Sequence, residues 1–300
     1  MFRGTDRLYG TTQKQFTVVR CTKCGLARLS PQPEGEELSA YYPKHYWFEP
    51  DGSLAGWLEE RYRRLLLRDH LRFIVQALRT SGAAGAVLDV GCGGGLLLAL
   101  LRDRGFRVLG LDASEEAAGV AWKRNGVPVF VGDLAHAPLR NGTSAVVSMY
   151  HVVEHLPDPE AYLRAARELL VPNGRLIVQV PNIRSWQFHI LGSRWNGADV
   201  PRHLHNFRPK DLRRLLESCG FAIVREKHFS WRDNPAGLAT SLAPRLEPVA
   251  RRVRGTDKTA LGKLVKNAVY LALVAAAVPF TLLEAAFGFG STIMVEARRE

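Results

Sequence analysis

Three hundred residues, 46% hydrophobic and 23% charged, are enough to bury a sizeable core, and this composition excludes a disordered or fibrous chain. The 41 Lys and Arg against 29 Asp and Glu leave a formal charge of +12, which suits an anionic membrane surface, an acidic substrate or nucleic acid. No RNA-binding motif or aromatic-interleaved basic patch accompanies that charge, so no nucleic-acid partner is expected. Four cysteines make no disulfide framework, and no secretory apolar segment opens the chain, so a reducing, cytoplasmic setting is expected.

In chain order, Phe16–Arg20 (FTVVR) reads as a strand running into Cys21-Thr-Lys-Cys24-Gly25. That is half of a zinc-binding hairpin, since tetrahedral zinc takes four ligands and no earlier cysteine exists. Two half-buried thiols are the favoured reading and zinc at Cys21/Cys24 the second. The stretch PQPEGEELSAYYPKHYW then reads as a helix and an aromatic turn. Its Tyr41, Tyr42, Tyr46 and Trp47 bury the hairpin or form a lid edge. Arg61, Arg63, Arg64, Arg68 and Arg72 fall on one helix.

Val87–Leu101 (VLDVGCGGGLLLALL) is a short apolar run carrying Asp89, a break at Gly91, Gly93, Gly94 and Gly95, and an apolar helical pattern. A buried strand, a tight turn and a helix N-terminus bring backbone N–H groups close to a polar ligand. The dinucleotide fingerprint G-x-G-x-x-G fails at Leu96, which disfavours a dehydrogenase. Strands follow at Phe106–Asp112, Val129–Asp133, Ser144–Tyr150, Arg175–Val180 (after a Pro172-Asn-Gly174 turn), Gly220–Ser230 and Gly290–Ala297. Strand alternates with helix, which argues a parallel sheet with helices on both faces and ligand groups at the strands' carboxyl ends.

The series D-x-G-x-G-x-G, GLD ending at Asp112, GD ending at Asp133, EHLPDP and PNGRLIVQVPN resembles the class I S-adenosylmethionine (SAM) dependent methyltransferases. It is similar in particular to the ubiquinone-biosynthesis O-methyltransferase-like group. The resemblance spans roughly residues 87–221 and the last strand. It implies a Rossmann-like, seven-stranded, mostly parallel sheet with an antiparallel last strand, a small N-terminal hairpin appendage and a hydrophobic helical insertion before that strand. The expected segments are 1–50 (hairpin), 51–83 (connecting helix), 84–234 (SAM-binding domain), 235–287 (insertion) and 288–300 (last strand). For the cofactor it implies Gly91, Gly93 and Gly95 at the methionine part, Asp89 at the loop or amino group, and Asp112 with Ala113 at the ribose. Asp133 with Leu134 would meet the adenine, and Tyr150 and His151 the sulfonium. Many members carry a second C-x-x-C upstream of a DRLYG-like segment, which this chain lacks ahead of Asp6–Gly10.

On the acceptor side the catalytic candidates are His203, His155 and Glu154, with His203 the first choice as base, because imidazole suits removal of a hydroxyl proton near neutral pH. Glu154 and His155 lie at helical spacing from His151, so a shared face is expected. The quinone-type enzymes carry a carboxylate where His151 stands and are associated with a divalent cation; with that carboxylate replaced, no metal site is assigned. Arg202, His203 and His205 cluster in WNGADVPRHLHNF, the acceptor-facing loop that the resemblance implies, before a helix at Pro209–Ser218.

Asn267–Leu283 carries no charge and follows Arg251, Arg252, Arg254, Lys258, Lys263 and Lys266. It is short for a span and precedes a strand that must return to the sheet. A peripheral membrane contact through residues 245–287, a cap over the acceptor pocket and a homodimer surface are the readings left open. The expected function is O-methylation of a small or lipid-linked acceptor at the inner face of the membrane. A sugar or polysaccharide-precursor methyltransferase and a non-catalytic SAM-binding or membrane-adaptor protein are the alternatives.

Overall fold

The computed structural model describes residues 1–43 and 54–300, so Tyr46 and Trp47 of the expected aromatic turn lie outside the described residues. The strands are β1 (Phe2–Gly4), β2 (Phe16–Arg20), β3 (Ala27–Leu29), β4 (Ala86–Val90), β5 (Val108–Asp112), β6 (Val129–Val131), β7 (Ser144–Tyr150), β8 (Leu170–Pro181), β9 (His205–Asn206), β10 (Phe221–Lys227) and β11 (Thr292–Arg299). Seven of them form one sheet in the order β10-β11-β8-β7-β4-β5-β6, parallel apart from β11, which pairs antiparallel with both β8 and β10. This is the expected architecture. β7 and the helix Pro209–Ser218 have the expected bounds.

Where the expected bounds fail, local hydrogen bonds account for it. β6 stops before Asp133 because that carboxylate accepts the backbone N–H groups of Ala135 and His136 and turns the chain. β10 ends before Ser230, whose N–H and hydroxyl are taken by Asn234 and Asp233. Pro172–Gly174 forms a bulge inside β8, with Asn173 at φ +60°, and not a turn ahead of it. The arginine-rich stretch is two helices, Leu54–Leu66 and Arg68–Ser81, meeting at Leu67.

Each face of the sheet is covered by an apolar layer. Leu71, Phe73, Ile74 and Ala77, one face of the helix Arg68–Ser81, pack with Leu97, Leu98 and Leu101 on one side. Leu163, Ala166, Leu212 and Leu216 pack with β7 and β8 on the other. Full burial of such a side chain contributes about 1.5–3 kcal/mol.

The N-terminal hairpin does not stand apart. β1, β2 and β3 form a second, antiparallel sheet completed by β9, which belongs to the loop after β8. Phe16, Val18, Leu29 and Tyr41 share a core with Ile183, Trp195, Val200 and Leu204 of that loop. A buried ion-pair network fastens the two: Arg202 donates to Asp6 (2.9 and 3.1 Å), Asp199 (2.6 and 3.0 Å) and the Tyr41 carbonyl (3.0 Å). Arg202, placed by the sequence among the acceptor-facing groups, is therefore structural. Between β10 and β11 run the helices Asn234–Leu242, Pro248–Val253 and Ala260–Ala286.

Candidate active site

Asp89 lies in β4, hydrogen-bonded alongside β7, and its carboxylate accepts the Ser148 hydroxyl at 2.6 Å. It is buried, and desolvation pushes its pKa up to about 7 against that hydrogen bond. The chain then turns through Gly91 and Gly95, both at positive φ. A Cβ at Gly91 would meet Val152 Cγ2 at 2.5 Å, and one at Gly95 would meet Ala121 Cβ at 2.9 Å. At these two positions a side chain would strike the protein itself, so glycine is required by the fold. Asp112, at the end of the neighbouring β5, ties down the loop. Its carboxylate accepts the N–H groups of Gly93 (2.8 Å) and Ser114 (2.9 Å), and burial raises its pKa.

Asp133 is tied to His136 Nδ1 at 2.9 Å besides its two backbone bonds, and Leu134 beside it is buried. Tyr150 ends β7 with its hydroxyl buried and its ring edge-on to His70, centroids 4.6 Å apart. Neither that hydroxyl nor either nitrogen of the fully buried His70 has a hydrogen-bond partner among the described residues. Buried polar atoms left unpaired cost about 1–3 kcal/mol each, so these are groups that a polar ligand would satisfy. Two carboxylates on adjacent strand ends, a glycine loop with its helix behind it and these unpaired groups fit a cofactor with an amino acid end and a ribose.

His151, at φ +57°, turns toward Glu154 and Asp233. Its Nδ1 lies 3.1 Å from Glu154 Oε1 and its Nε2 3.5 Å from Asp233 Oδ1. Burial opposes a charge on this ring, but the two carboxylates outweigh it and raise its pKa to about 9. The Gln179 amide nitrogen, as placed, donates to Asp233 Oδ2 (2.8 Å) and to His151 Nε2 (2.7 Å). That arrangement fits a neutral ring with its hydrogen on Nδ1, so protonating His151 requires the Gln179 amide to rotate. His70, Gln179 and Asp233 were missed from sequence. Gln179, a polar residue inside an otherwise apolar strand, was the available signal; Asp233 sits in a turn with no motif around it.

The other half of the expected shared face splits from His151. His155 turns toward His203, ring centroids 4.6 Å apart. Its Nδ1 lies 3.1 Å from both the Arg202 carbonyl and the Tyr42 hydroxyl. His203 Nδ1 lies 2.9 Å from the Gly197 carbonyl. A carbonyl only accepts, so both rings carry their hydrogen on Nδ1 and keep a lone pair on Nε2. His203 Nε2 is 4.0 Å from Glu154 Oε1, and Glu154 Oε2 is buried with no partner among the described residues. Burial and the neighbouring His203 push the His155 pKa down to about 4. Burial pushes Glu154 up, but the surrounding histidines prevail and hold it below the usual carboxylate range. One ligand atom from each of Glu154, His155 and His203 falls within 4.8 Å of the others, a donor set of the kind that holds a divalent cation. His205 is buried in β9 and belongs to the small sheet.

Cys21 and Cys24 sit in the β2–β3 turn, Cys24 exposed and Cys21 half-buried. Backbone N–H groups of Cys24 and Lys23 lower the Cys21 thiol to about 7.

Residues 54–226, more than half the chain, match the family model described as a methyltransferase domain. The ubiquinone biosynthesis O-methyltransferase of Pectobacterium atrosepticum is 32% identical over 196 residues, 61% of this chain and 80% of that protein. The protein of the same name from Methylococcus capsulatus is 30% identical over 192 residues, 60% and 78% of the two chains. Among solved structures, a SAM-dependent methyltransferase from Archaeoglobus fulgidus aligns with a TM-score of 0.51 at 19% identity, covering 82% of this chain and all of that one. The cyclase SpnF aligns at 0.50 with 22% identity, covering 76% and 80%. These structural likenesses establish the fold, and the family match establishes the rest: the chain belongs to the class I SAM-dependent methyltransferases, enzymes whose cofactor is S-adenosylmethionine.

Proposed function

We propose that this enzyme transfers the methyl group of SAM to a hydroxyl oxygen of a small or lipophilic acceptor, working on the cytoplasmic side of a membrane. The observation that carries the reading is the His203–Glu154–His155 cluster. Glu154 and His155 follow β7, the strand hydrogen-bonded to the Asp89 strand, and His203 lies in the loop after β8, so the cluster stands at the carboxyl edge of the sheet. The relatives named for O-methylation in ubiquinone biosynthesis support the oxygen as acceptor atom.

Methyl transfer from a sulfonium is an in-line displacement, so the protein must hold the acceptor oxygen about 3 Å from the methyl carbon and remove its proton. His203 is the base. Its Nδ1–H is committed to the Gly197 carbonyl, which leaves the lone pair on Nε2, and Glu154 beside it stabilises the imidazolium that forms. His155, pushed to about 4, stays neutral at pH 7 and orients the acceptor by accepting a hydrogen bond. The Asp112 carboxylate would hold the two ribose hydroxyls of the cofactor, and Asp89 its cationic amino end. A divalent cation held by Glu154, His155 and His203 would take those same Nε2 lone pairs, and would then lower the pKa of a bound hydroxyl in place of the histidine base. The reading is tested by single-turnover assays with radiolabelled SAM against phenolic, polyprenyl-phenolic and sugar acceptors. Label on a phenolic oxygen supports it, whereas transfer confined to sugars moves the enzyme to the polysaccharide-precursor class.

A further inference from the structure

The helix Ala260–Ala286 is 27 residues long, and its buried side chains, Tyr270, Val274, Ala277, Thr281 and Glu284, form a single stripe. The rest of its circumference is also apolar. Leu261 (72% exposed), Leu264 (62%) and Leu283 (52%) face outward with Val265, Leu271 and Leu282, and no Asp, Glu, Lys, Arg or His interrupts the sequence between Lys266 and Glu284. Glu284 itself is turned inward, accepting the Gln187 backbone and side-chain N–H groups at 2.9 and 3.0 Å. A monomer in water has no use for a continuous leucine- and alanine-lined outer face.

The flanking charge identifies what covers it. Residues 245–266 carry seven Lys and Arg against two acids. Two of the seven are engaged internally with Asp257: Arg251, held bidentate at 2.6 and 2.7 Å, and Lys266 at 3.2 Å. Lys258 and Lys263 stay exposed. At the far end Phe287, 64% exposed, stands with Trp186 and Phe289 in an aromatic cluster of the kind that anchors at a lipid headgroup layer.

We propose that this helix lies flat in an anionic lipid surface, apolar face in the acyl boundary and the basic segment over the headgroups. It does not cross. Arg251 also reaches Asn267, fixing the helix start to the body, while Glu284 and β11 fix its end to the same body. Gln187, the partner of Glu284, also receives the Trp195 indole N–H (3.3 Å), so the lipid-facing helix is joined to the loop that carries His203. The surface does not depend on the methyl-transfer reading.

The test is flotation of the full-length protein with phosphatidylcholine vesicles with and without phosphatidylglycerol, beside light scattering for mass. Wild type partitions at least about tenfold more strongly onto the phosphatidylglycerol vesicles. Leu264→Glu/Leu283→Glu loses vesicle binding while keeping its affinity for S-adenosylhomocysteine, which shows that it is folded. Lys258→Glu/Lys263→Glu loses the phosphatidylglycerol preference. Three results overturn the proposal. The protein fails to bind phosphatidylglycerol vesicles, or the leucine variant binds them undiminished. In the third, wild type is a dimer without vesicle affinity that the leucine variant splits, which assigns the face to a second copy of this chain.

Discussion

Asp89 is held in conflict between stability and function, and replacing it separates the two. Its folded pKa stands near 7 against an ordinary 3.8, because burial penalises the carboxylate more than the Ser148 hydroxyl stabilises it. A carboxyl raised on folding keeps its proton in the native state after the unfolded chain has lost it. Stability therefore falls as pH rises from about 4 to about 7, by about 1.4 kcal/mol per pH unit. Asp89→Asn keeps an oxygen for Ser148 and carries no charge, so its stability is free of that slope. Between pH 5 and pH 7 the variant's advantage over wild type grows by about 3 kcal/mol. Urea denaturation of both proteins at pH 5, 6, 7 and 8 measures this directly. At pH 8 the same variant is expected to bind SAM at least about tenfold more weakly, having lost the anion that, on the proposed reading, meets the cofactor's cationic end. Parallel pH–stability curves for the two proteins would refute the argument.

Asp112→Ala removes the acceptor for the Gly93 and Ser114 N–H groups and, on this account, for both ribose hydroxyls; SAM affinity drops about a hundredfold or more by calorimetry, and an unchanged affinity removes the ribose assignment. His203→Ala leaves SAM affinity intact and lowers turnover about 10²- to 10⁴-fold, and retention of full turnover transfers the base role to His155. Arg202→Ala strands the buried Asp6 carboxylate and the half-buried Asp199 and costs about 3–5 kcal/mol in thermal or denaturant unfolding. Burial pushes the Asp6 carboxyl up, but Arg202 and Thr11 hold it well below the usual range. Its contribution is thus present above about pH 4 and is lost on further acidification, a loss that Arg202→Ala removes from the acid-denaturation curve.

The parallel centre of the sheet was legible because its strands are largely apolar runs, two of them carrying an acid at or next to the carboxyl end. VLDVG and FRVLGLD show both features, and their glycine and acid spacing names the cofactor class as well. The small N-terminal sheet was legible only in part. Phe16–Arg20 has the strand pattern, but its completion by two residues, His205 and Asn206, leaves no periodicity to detect, because a two-residue strand has none. The same joint explains Arg202, whose carboxylate partner Asp6 lies 196 residues away. Histidine spacing suggested that His151, Glu154 and His155 share a helical face. The segment is instead a single tight turn, Val153–His155, entered at positive φ, which sends His151 to Asp233 and His155 to His203. Residues drawn from four separate segments, His70, Tyr150, Gln179 and Asp233, meet only after the fold is complete.

The central claim is that the Asp89–Gly95 loop and Asp112 form a working SAM site. Calorimetric titration of the purified protein at pH 8 with SAM and with S-adenosylhomocysteine tests it most directly. The account predicts one-to-one binding of both in the micromolar range, lost in Asp112→Ala and weakened in Asp89→Asn. A protein shown to be folded by its unfolding transition that takes up neither compound would contradict it.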